Sequence, residues 1–274
     1  MNKKHITSLI SQNFGKFASA KFPTWFQNIV NTSYVKLMGL DMSEFYHPSK
    51  YETLNKLFTR ELRLERKFSN DSSDFISPCD SWISELGNIN DIDALQIKGM
   101  RYNAQDVLGN NFSKDEKDII KDGQFINFYL SPKDYHRYHI PCDLTVLKAV
   151  HIPGKFYPVN IKSLKTRVNL FEENERVVIL CETPEKKRFY MVLVSALNVG
   201  VMKVSFAPQI QTNADATKEQ VYKFGNIRLK KGFDFGCFEM GSTIVILAEK
   251  DMLELDIKQD DHVKFGQTIA KYFQ

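Results

Sequence analysis

The sequence lacks the features of disulfide-stapled, membrane-spanning and repeat proteins. Its 274 residues include only four cysteines, with no C-x-x-C pair and no secretory signal, so we expect a reducing compartment. The longest apolar stretch, residues 190–202, is interrupted by polar residues and is shorter than the ~20 residues that span a bilayer. Low-complexity tracts and fixed-period repeats are also absent. We therefore expect a globular protein that remains in the cytoplasm.

Acidic residues are absent from the first 40 positions, although the whole chain contains 33 of them. The same segment contains five lysines, so the positive net charge of +4 arises there. Apolar residues recur at steps of three and four on both sides of Pro23, which predicts two short amphipathic helices. Because Phe and Trp are interspersed with the lysines, we expect these helices to bind an anionic membrane surface rather than nucleic acid. The alternative is that they pack on the protein's own core.

From about residue 75 onward, short runs of Val, Ile, Phe and Tyr are separated by Gly, Pro and Asn, which is typical of antiparallel β structure. A further short helix is predicted at 53–62. We therefore predict an α+β fold, with a helical segment at residues 1–68 and a mainly antiparallel β-rich domain at residues 69–274. Segments 77–89 and 260–270 each resemble half of the small β-sandwich of biotinyl and lipoyl carriers. The clearest predicted strands are 125–130, 146–152, 176–181, 189–194, 199–206 and 243–248.

Two of the six histidines lie three residues apart in the segment Tyr129–Pro141, directly after a predicted strand. An imidazole can both donate and accept a proton near neutral pH, so His136 and His139 could serve as an acid and a base. Two other interpretations remain open. The histidines could simply form hydrogen bonds within the loop, or they could belong to a zinc site together with Cys142 and Asp80.

A carboxylate and a hydroxyl are two further candidates for chemistry. Asp80 follows a proline at the start of a predicted strand, where an aspartate usually caps the backbone. If its carboxylate instead contacts His139, it would fix the tautomer of that ring and stabilise the imidazolium. Ser242 stands between Gly241 and Thr243, just before a strongly apolar strand. Such a sequence is a common turn, but a glycine carbonyl is open to close approach by the following hydroxyl, so backbone self-cleavage is possible there.

These groups occur in the order that is typical of the phosphatidylserine decarboxylase family. Its members carry a P-x-D-G turn, a Y-x-S-P-x-D-Y-H-R-x-H run and an L/M-G-S-T site, which the chain resembles at 78–81, 129–139 and 240–243. Further similar segments extend the resemblance over residues 50–274. The chain departs from the pattern at Ser81, where the family has glycine. Because glycine readily adopts positive φ, we expect the turn to differ locally if that position needs it.

The resemblance implies a self-processing enzyme. By analogy with its relatives, Asp80, His139 and Ser242 would form a triad in which His139 deprotonates the serine hydroxyl. The alkoxide would attack the carbonyl of Gly241 and cut the chain into residues 1–241, the beta chain, and residues 242–274, the alpha chain. The two chains would remain associated. Ser242 would become a pyruvoyl group, that is, a pyruvic acid residue that serves as the covalent cofactor, and no metal is expected.

By the same resemblance, the pyruvoyl group would form a Schiff base with phosphatidylserine, and loss of CO2 would yield phosphatidylethanolamine. His136 would protonate the carbanion. We expect a peripheral protein on the cytoplasmic face of the cell membrane, because a diacyl substrate remains in the bilayer. The family likeness alone suggests a homodimer. The alternatives are a zinc-dependent hydrolase that uses His136 and His139, a biotinyl-type carrier and a non-catalytic lipid-binding module.

Overall fold

The computed structural model describes residues 6–97, 100–197, 201–210, 212, 218–239 and 242–272. Its helices lie mostly towards the amino terminus and its sheets are mainly antiparallel, so the predicted α+β class is confirmed. The helices are α1 (Ile6–Ser19), α2 (Thr24–Met38), α3 (Leu54–Phe58), α4 (Ala104–Val107), α5 (Lys114–Asp118), α6 (Ile161–Thr166) and α7 (Leu170–Glu173), with a 3-10 turn at Pro48–Lys50. The strands are β1 (Asp74–Ile76), β2 (Ser81–Asn88), β3 (Asp93–Ile97), β4 (Met100–Asn103), β5 (Gln124–Leu130), β6 (Arg137–His139), β7 (Leu144–Ile152), β8 (Arg176–Glu182), β9 (Arg188–Val194), β10 (Met202–Val204), β11 (Gln220–Leu229), β12 (Asp234–Phe238), β13 (Ser242–Ala248), β14 (Leu253–Leu255), β15 (His262–Val263) and β16 (Thr268–Tyr272).

The largest sheet has eight strands in the order β11-β7-β8-β9-β13-β5-β2-β15. Strands β8 and β13 are buried along their whole length, and each contains an unbroken apolar run because both faces of the sheet are covered. Strand β13 lies in the interior of the sheet, where Ile246 pairs with Ile126 of β5 on one side and Met191 of β9 on the other. The strand that begins at Ser242 is therefore held on both edges by backbone hydrogen bonds.

Five of the six strands predicted from the sequence are present within two residues of their expected bounds. The sixth, expected at 199–206, is shorter, because β10 covers only Met202–Val204 and residues 199–200 lie outside the described ranges. A turn follows β10, closed by a hydrogen bond from the N–H of Ala207 to the carbonyl of Val204 at 3.0 Å. The helix expected at 53–62 is likewise restricted to α3. Segments 77–89 and 260–270 are joined by the pairing of β15 with β2, and the predicted likeness to biotinyl and lipoyl carriers stays a prediction.

Residues 13–66, which we call the helical layer, cover one end of the β structure. Gly39 ends α2 with a left-handed φ of 66°, so that its N–H bonds back to the carbonyl of Val35. Asn31 is fully buried, and its Nδ2 donates to the carbonyls of Pro48 at 3.0 Å and Tyr51 at 2.9 Å. These bonds tie α2 to the 3-10 turn. No helix in the described ranges is both long enough and apolar enough to cross a membrane.

Candidate active site

The candidate site lies where three neighbouring strands of the large sheet meet the loop that carries the paired histidines. Ser242 at the start of β13 pairs with Leu130 at the end of β5, and Thr243 pairs with Val194 at the end of β9. Because antiparallel neighbours run in opposite directions, the start of β13 and the ends of β5 and β9 lie side by side at one end of these strands. The loop 131–136 begins directly after Leu130, which pairs with Ser242, so the histidine run starts next to Ser242.

Ser242 is fully buried, and its Oγ has no hydrogen-bond partner among the described residues. Leaving a buried hydroxyl unpaired costs about 1–3 kcal/mol of stability, so such groups call for an explanation other than folding. Gly241, the other half of the expected cleavage site, lies outside the described residues. Among the described residues, the hydroxyl of Ser242 therefore has no hydrogen bond that would have to be broken before it reacts.

His136 is fully buried, and its ring lies 4.0 Å from the ring of Phe58 in α3, measured between centroids. Its Nδ1 bonds to the carbonyl oxygen of Asp134 at 2.9 Å, and since a carbonyl can only accept, Nδ1 carries the proton. Nε2 is then a bare acceptor, and it has no partner among the described residues. Burial lowers the pKa of His136 to about 3, and the charge of Arg60 lowers it further. The ring is therefore neutral at pH 7.

His139 lies in β6 and is also buried and neutral. Its Nδ1 donates to the carbonyl of Gly232 at 3.1 Å, which leaves Nε2 to accept from the hydroxyl of Tyr135 at 3.1 Å. The ring stacks on that of Phe265, with centroids 3.5 Å apart. Burial lowers the pKa of His139 to about 4, so at neutral pH the ring can take up a proton rather than release one.

Asp80 is paired with a residue that sequence reasoning did not single out. The guanidinium of Arg66 binds both of its carboxylate oxygens, one of them at 2.9 Å, and Oδ1 also accepts from the backbone N–H of Phe265 at 2.8 Å. The same guanidinium binds Glu44 through two bonds of 2.8 Å. Asp80 and His139 therefore both contact Phe265. No hydrogen bond between the two side chains is found among the described residues, because Asp80 bonds to Arg66 and His139 bonds to Tyr135 and Gly232.

A groove of about 220 Å³ is lined in part by Leu130, the residue of β5 that pairs with Ser242. Its lining comes from three segments: 129–132 at the end of β5, 158–160 after β7, and 196–197 after β9. The buried side chain of Asn174 fixes two of these segments, because its Nδ2 donates to the carbonyls of Tyr157 at 2.9 Å and Ser195 at 2.8 Å. The groove is accordingly a preformed space at the same end of the strands as Ser242.

The four side chains of the zinc alternative do not converge on one point. In the part of the chain that the structure describes, no three His, Cys, Asp or Glu side chains lie together in a way that could hold a metal ion. The Asp80 carboxylate is bound to Arg66. Burial raises the pKa of the Cys142 thiol well above its usual range, which keeps it in the protonated form that binds metals poorly.

Sequence reasoning missed several residues that contact the candidate groups. Arg66, Gly232 and Phe265 are 14, 93 and 185 positions from the residues that they bind, and no local pattern marks such distant partners. Tyr135 is an exception, since it lies within the histidine run and could have been proposed as a partner of His139 from its spacing.

A buried serine hydroxyl without a partner among the described residues, and two neutral imidazoles that follow the strand paired with it, are groups of the kind that enzymes use for nucleophilic and acid–base chemistry. The family model described as phosphatidylserine decarboxylase matches residues 54–271. The chain is 44% identical to the phosphatidylserine decarboxylase proenzyme of Campylobacter jejuni, over 95% of this chain and 97% of that one. It is 42% identical to the enzyme of the same name from Helicobacter pylori, over 97% and 98% of the two chains, and 35% identical to that of Idiomarina loihiensis, over 96% and 92%. The chain belongs to the phosphatidylserine decarboxylase family.

Proposed function

We propose that this protein converts phosphatidylserine to phosphatidylethanolamine and CO2, using a pyruvoyl group made from Ser242 by self-cleavage after Gly241. The observation that supports the proposal is the Ser242 hydroxyl, which is buried at the start of the interior strand β13 and has no hydrogen-bond partner among the described residues. The relatives are named as phosphatidylserine decarboxylases and as proenzymes, which supports both the substrate and the processing step.

Self-cleavage needs a base for the hydroxyl proton, and we assign that role to His139. The ring is neutral at pH 7, so it can accept the proton once the Tyr135 hydroxyl gives up Nε2. The alkoxide attacks the carbonyl of residue 241 and converts the peptide bond to an ester, and elimination across Cα and Cβ of residue 242 then releases the carboxylate of residue 241. Water adds to the dehydroalanine that is left at position 242, and loss of ammonia gives the ketone. The Asp80 carboxylate, which is bound by Arg66, favours the imidazolium of His139, although the charges of Arg137 and Arg66 oppose it more strongly.

The site of Ser242 fits a pyruvoyl group. Residue 242 is buried next to Leu130, and when its Cα becomes a ketone and its Cβ a methyl group, the Oγ that is lost gives up no hydrogen bond among the described residues. When present, the ketone supplies an electrophile for the substrate amine and an acceptor for the electron pair left by CO2. His136 moves the protons: its bare Nε2 takes one from the ammonium group of the substrate and returns one to the carbon that lost CO2.

The two products of cleavage would remain one folded body. Strand β13 of the alpha chain stays between β9 and β5 of the beta chain, and β16 stays paired with β1. These pairings involve residues that are buried in the core, so we expect the chains to separate only on unfolding. A homodimer remains a prediction from family likeness.

A membrane surface is the proposed setting, on the cytoplasmic face and without a span. Five large apolar side chains of α2 are exposed, and the most exposed of them are Leu37 by 82%, Trp25 by 66% and Ile29 by 54%. Lysines in α1, in α2 and between them accompany these side chains, so apolar burial and attraction to anionic lipid would act together. The groove lined by Leu130 would receive the headgroup, and the acyl chains would remain in the bilayer.

Mass spectrometry of the denatured, purified protein tests the proposal. We expect two fragments, and the smaller one should begin with residue 242 as a blocked ketone and end at Gln274. Phenylhydrazine, which reacts with ketones, should add mass to the smaller fragment only. A single uncut chain that still releases CO2 from phosphatidylserine would contradict the mechanism, and loss of activity to a chelator would favour the zinc hydrolase.

A further inference from the structure

Arg60 is a buried cation directly after α3, at the boundary between the helical layer and the histidine loop. It is 2% exposed, and its Nη2 donates to the backbone carbonyls of Lys133 at 3.0 Å and Asp134 at 3.2 Å. Its Cζ lies 4.4 Å from the centre of the Phe45 ring. Nε and Nη1 have no hydrogen-bond partner among the described residues. Burying a guanidinium with unpaired donors destabilises a fold, so stability does not explain this residue.

The carbonyl that Arg60 binds also determines the state of His136. The oxygen of Asp134 accepts from the guanidinium and from Nδ1 of the imidazole, at 3.2 Å and 2.9 Å. The second bond keeps the proton on Nδ1 and leaves Nε2 bare, and the first restrains the carbonyl on which that tautomer depends. The link is therefore a chain of two hydrogen bonds from a buried cation to the imidazole.

Charge provides a second link between the same two residues. The titratable groups around His136 are Arg60 after α3, the Asp134 carboxyl in its own loop and the Tyr34 hydroxyl of α2, which bonds to the carbonyl of Pro132 at 3.3 Å. The Asp134 carboxylate accepts from the N–H of Ser131 at 2.7 Å. Only the guanidinium carries a fixed positive charge among them, and it opposes protonation of the ring.

We propose that Arg60 is a positioning residue for His136, which orients the ring through the Asp134 carbonyl and repels a proton from it until an anionic substrate is bound. This inference rests on the proposed function for its consequence in catalysis. The carboxylate of phosphatidylserine offsets the guanidinium charge and lets Nε2 take a proton from the substrate ammonium. When the carboxylate departs as CO2, the offset disappears, and the proton on Nε2 is transferred to the carbon left with the electron pair.

The state of His136 can be measured without turnover, by nitrogen-15 NMR titration of the full-length Ser242→Ala precursor. In this background we compare Arg60→Gln, Arg60→Lys and the control Arg63→Gln, which removes an exposed arginine from the same segment. We expect Arg60→Gln to raise the pKa of His136 by at least one unit, because the charge is gone. Arg60→Lys should keep the pKa low but admit the Nε2–H tautomer, because one ammonium cannot reproduce the planar guanidinium contact. Arg63→Gln should match the parent.

Superimposable titrations of Arg60→Gln and its parent would overturn the proposal. If Arg60→Gln does not fold, Arg60→Lys decides, and an unchanged Nδ1–H tautomer in that variant would overturn it as well. In the cleavable enzyme, we expect Arg60→Gln to retain processing and to lower kcat about a hundredfold with a small change in KM, as for loss of one proton-transfer contribution. If the protein did not decarboxylate phosphatidylserine, the comparison of kcat values could not be made, but the NMR titration would still test the effect of Arg60 on His136.

Discussion

The sheet interior and helix α2 distribute their side chains in opposite ways. In β13 all seven residues are buried, and most are apolar. In α2 the buried residues include Gln27 and Asn31, while Trp25 and Leu37 face outward. An apolar core is sufficient to explain the strand. Helix α2 packs Val30, Tyr34 and Val35 in the cluster of the helical layer, but it also leaves Trp and Leu exposed, which is typical of an interaction surface.

The sharpest test of this comparison is to change one buried hydroxyl in β13. Ser242→Ala should abolish both chain cleavage and CO2 release and leave the melting temperature nearly unchanged, because the Oγ has no partner to lose among the described residues. Fragment masses and thermal unfolding report the two effects. Thr243→Val is the matched control, since Thr243 Oγ1 is also buried without a partner in that part of the chain, and this variant should still be processed.

The next largest effect on activity is expected from His136, whose ring contacts Phe58 of the helical layer. His136→Ala should retain at least part of the self-cleavage but lower the rate of CO2 release by roughly 10²–10⁴, the usual contribution of a proton-transfer group. His262→Ala removes an exposed histidine from β15 and should behave as the unmodified protein. Decarboxylation at a normal rate by His136→Ala would show that the ring does not transfer the proton.

Acid should weaken the fold through the two buried imidazoles. Burial lowers the pKa of His136 to about 3 and that of His139 to about 4, below the ordinary value near 6.5 in the unfolded chain. The unfolded state therefore binds protons first, and stability falls as the pH drops from about 6.5 towards 4. Each ring should lower the free energy of unfolding by about 2 kcal/mol between pH 7 and pH 5, since one pKa unit corresponds to ~1.4 kcal/mol.

Urea unfolding of the uncut Ser242→Ala chain at pH 7 and pH 5 measures this loss. Replacing both histidines with phenylalanine should remove most of the difference between the two pH values. The pKa of Glu44, held at about 2 mainly by its bonds to Arg66, affects stability only below about pH 4.5, so it does not contribute in this window. An equal pH dependence in the double variant would assign the acid sensitivity to other groups.

The smallest expected effect concerns the exposed side of α2. Trp25→Ser should weaken adsorption to anionic vesicles roughly tenfold, because burial of one large apolar side chain contributes about 1.5–3 kcal/mol. Its unfolding free energy should not change, since the side chain is 66% exposed. Leu64→Ser is the control, because Leu64 is 74% exposed but lies outside the helices. Sedimentation with vesicles distinguishes the two, and equal binding by both variants would argue against α2 as the contact surface.

Several of these features are predictable from the order of residues alone. The apolar runs of β8, β9 and β13 indicate strands with bounds correct to two residues, because a run that is buried on both faces has to be apolar throughout. The strand expected at 199–206 is predicted too long, because its last two residues form a turn after Val204 that the apolar pattern does not reveal. The start of this strand is also misplaced, since β10 begins at Met202 rather than at 199, whereas the expected ends of the other five strands lie within one residue of the observed ends.

The sequence by itself determined the strand cores, the basic and aromatic amino terminus and the order of the Asp, His-run and Gly-Ser-Thr motifs, because each depends on residues that are close along the chain. Only the tertiary structure decided that Arg66 binds Asp80, that the Gly232 carbonyl binds His139, and that Arg60 binds the Asp134 carbonyl to which His136 also bonds. Those contacts join residues from separate strands and loops. Packing of the sheet and the helical layer, rather than any local preference, brings them within hydrogen-bond distance.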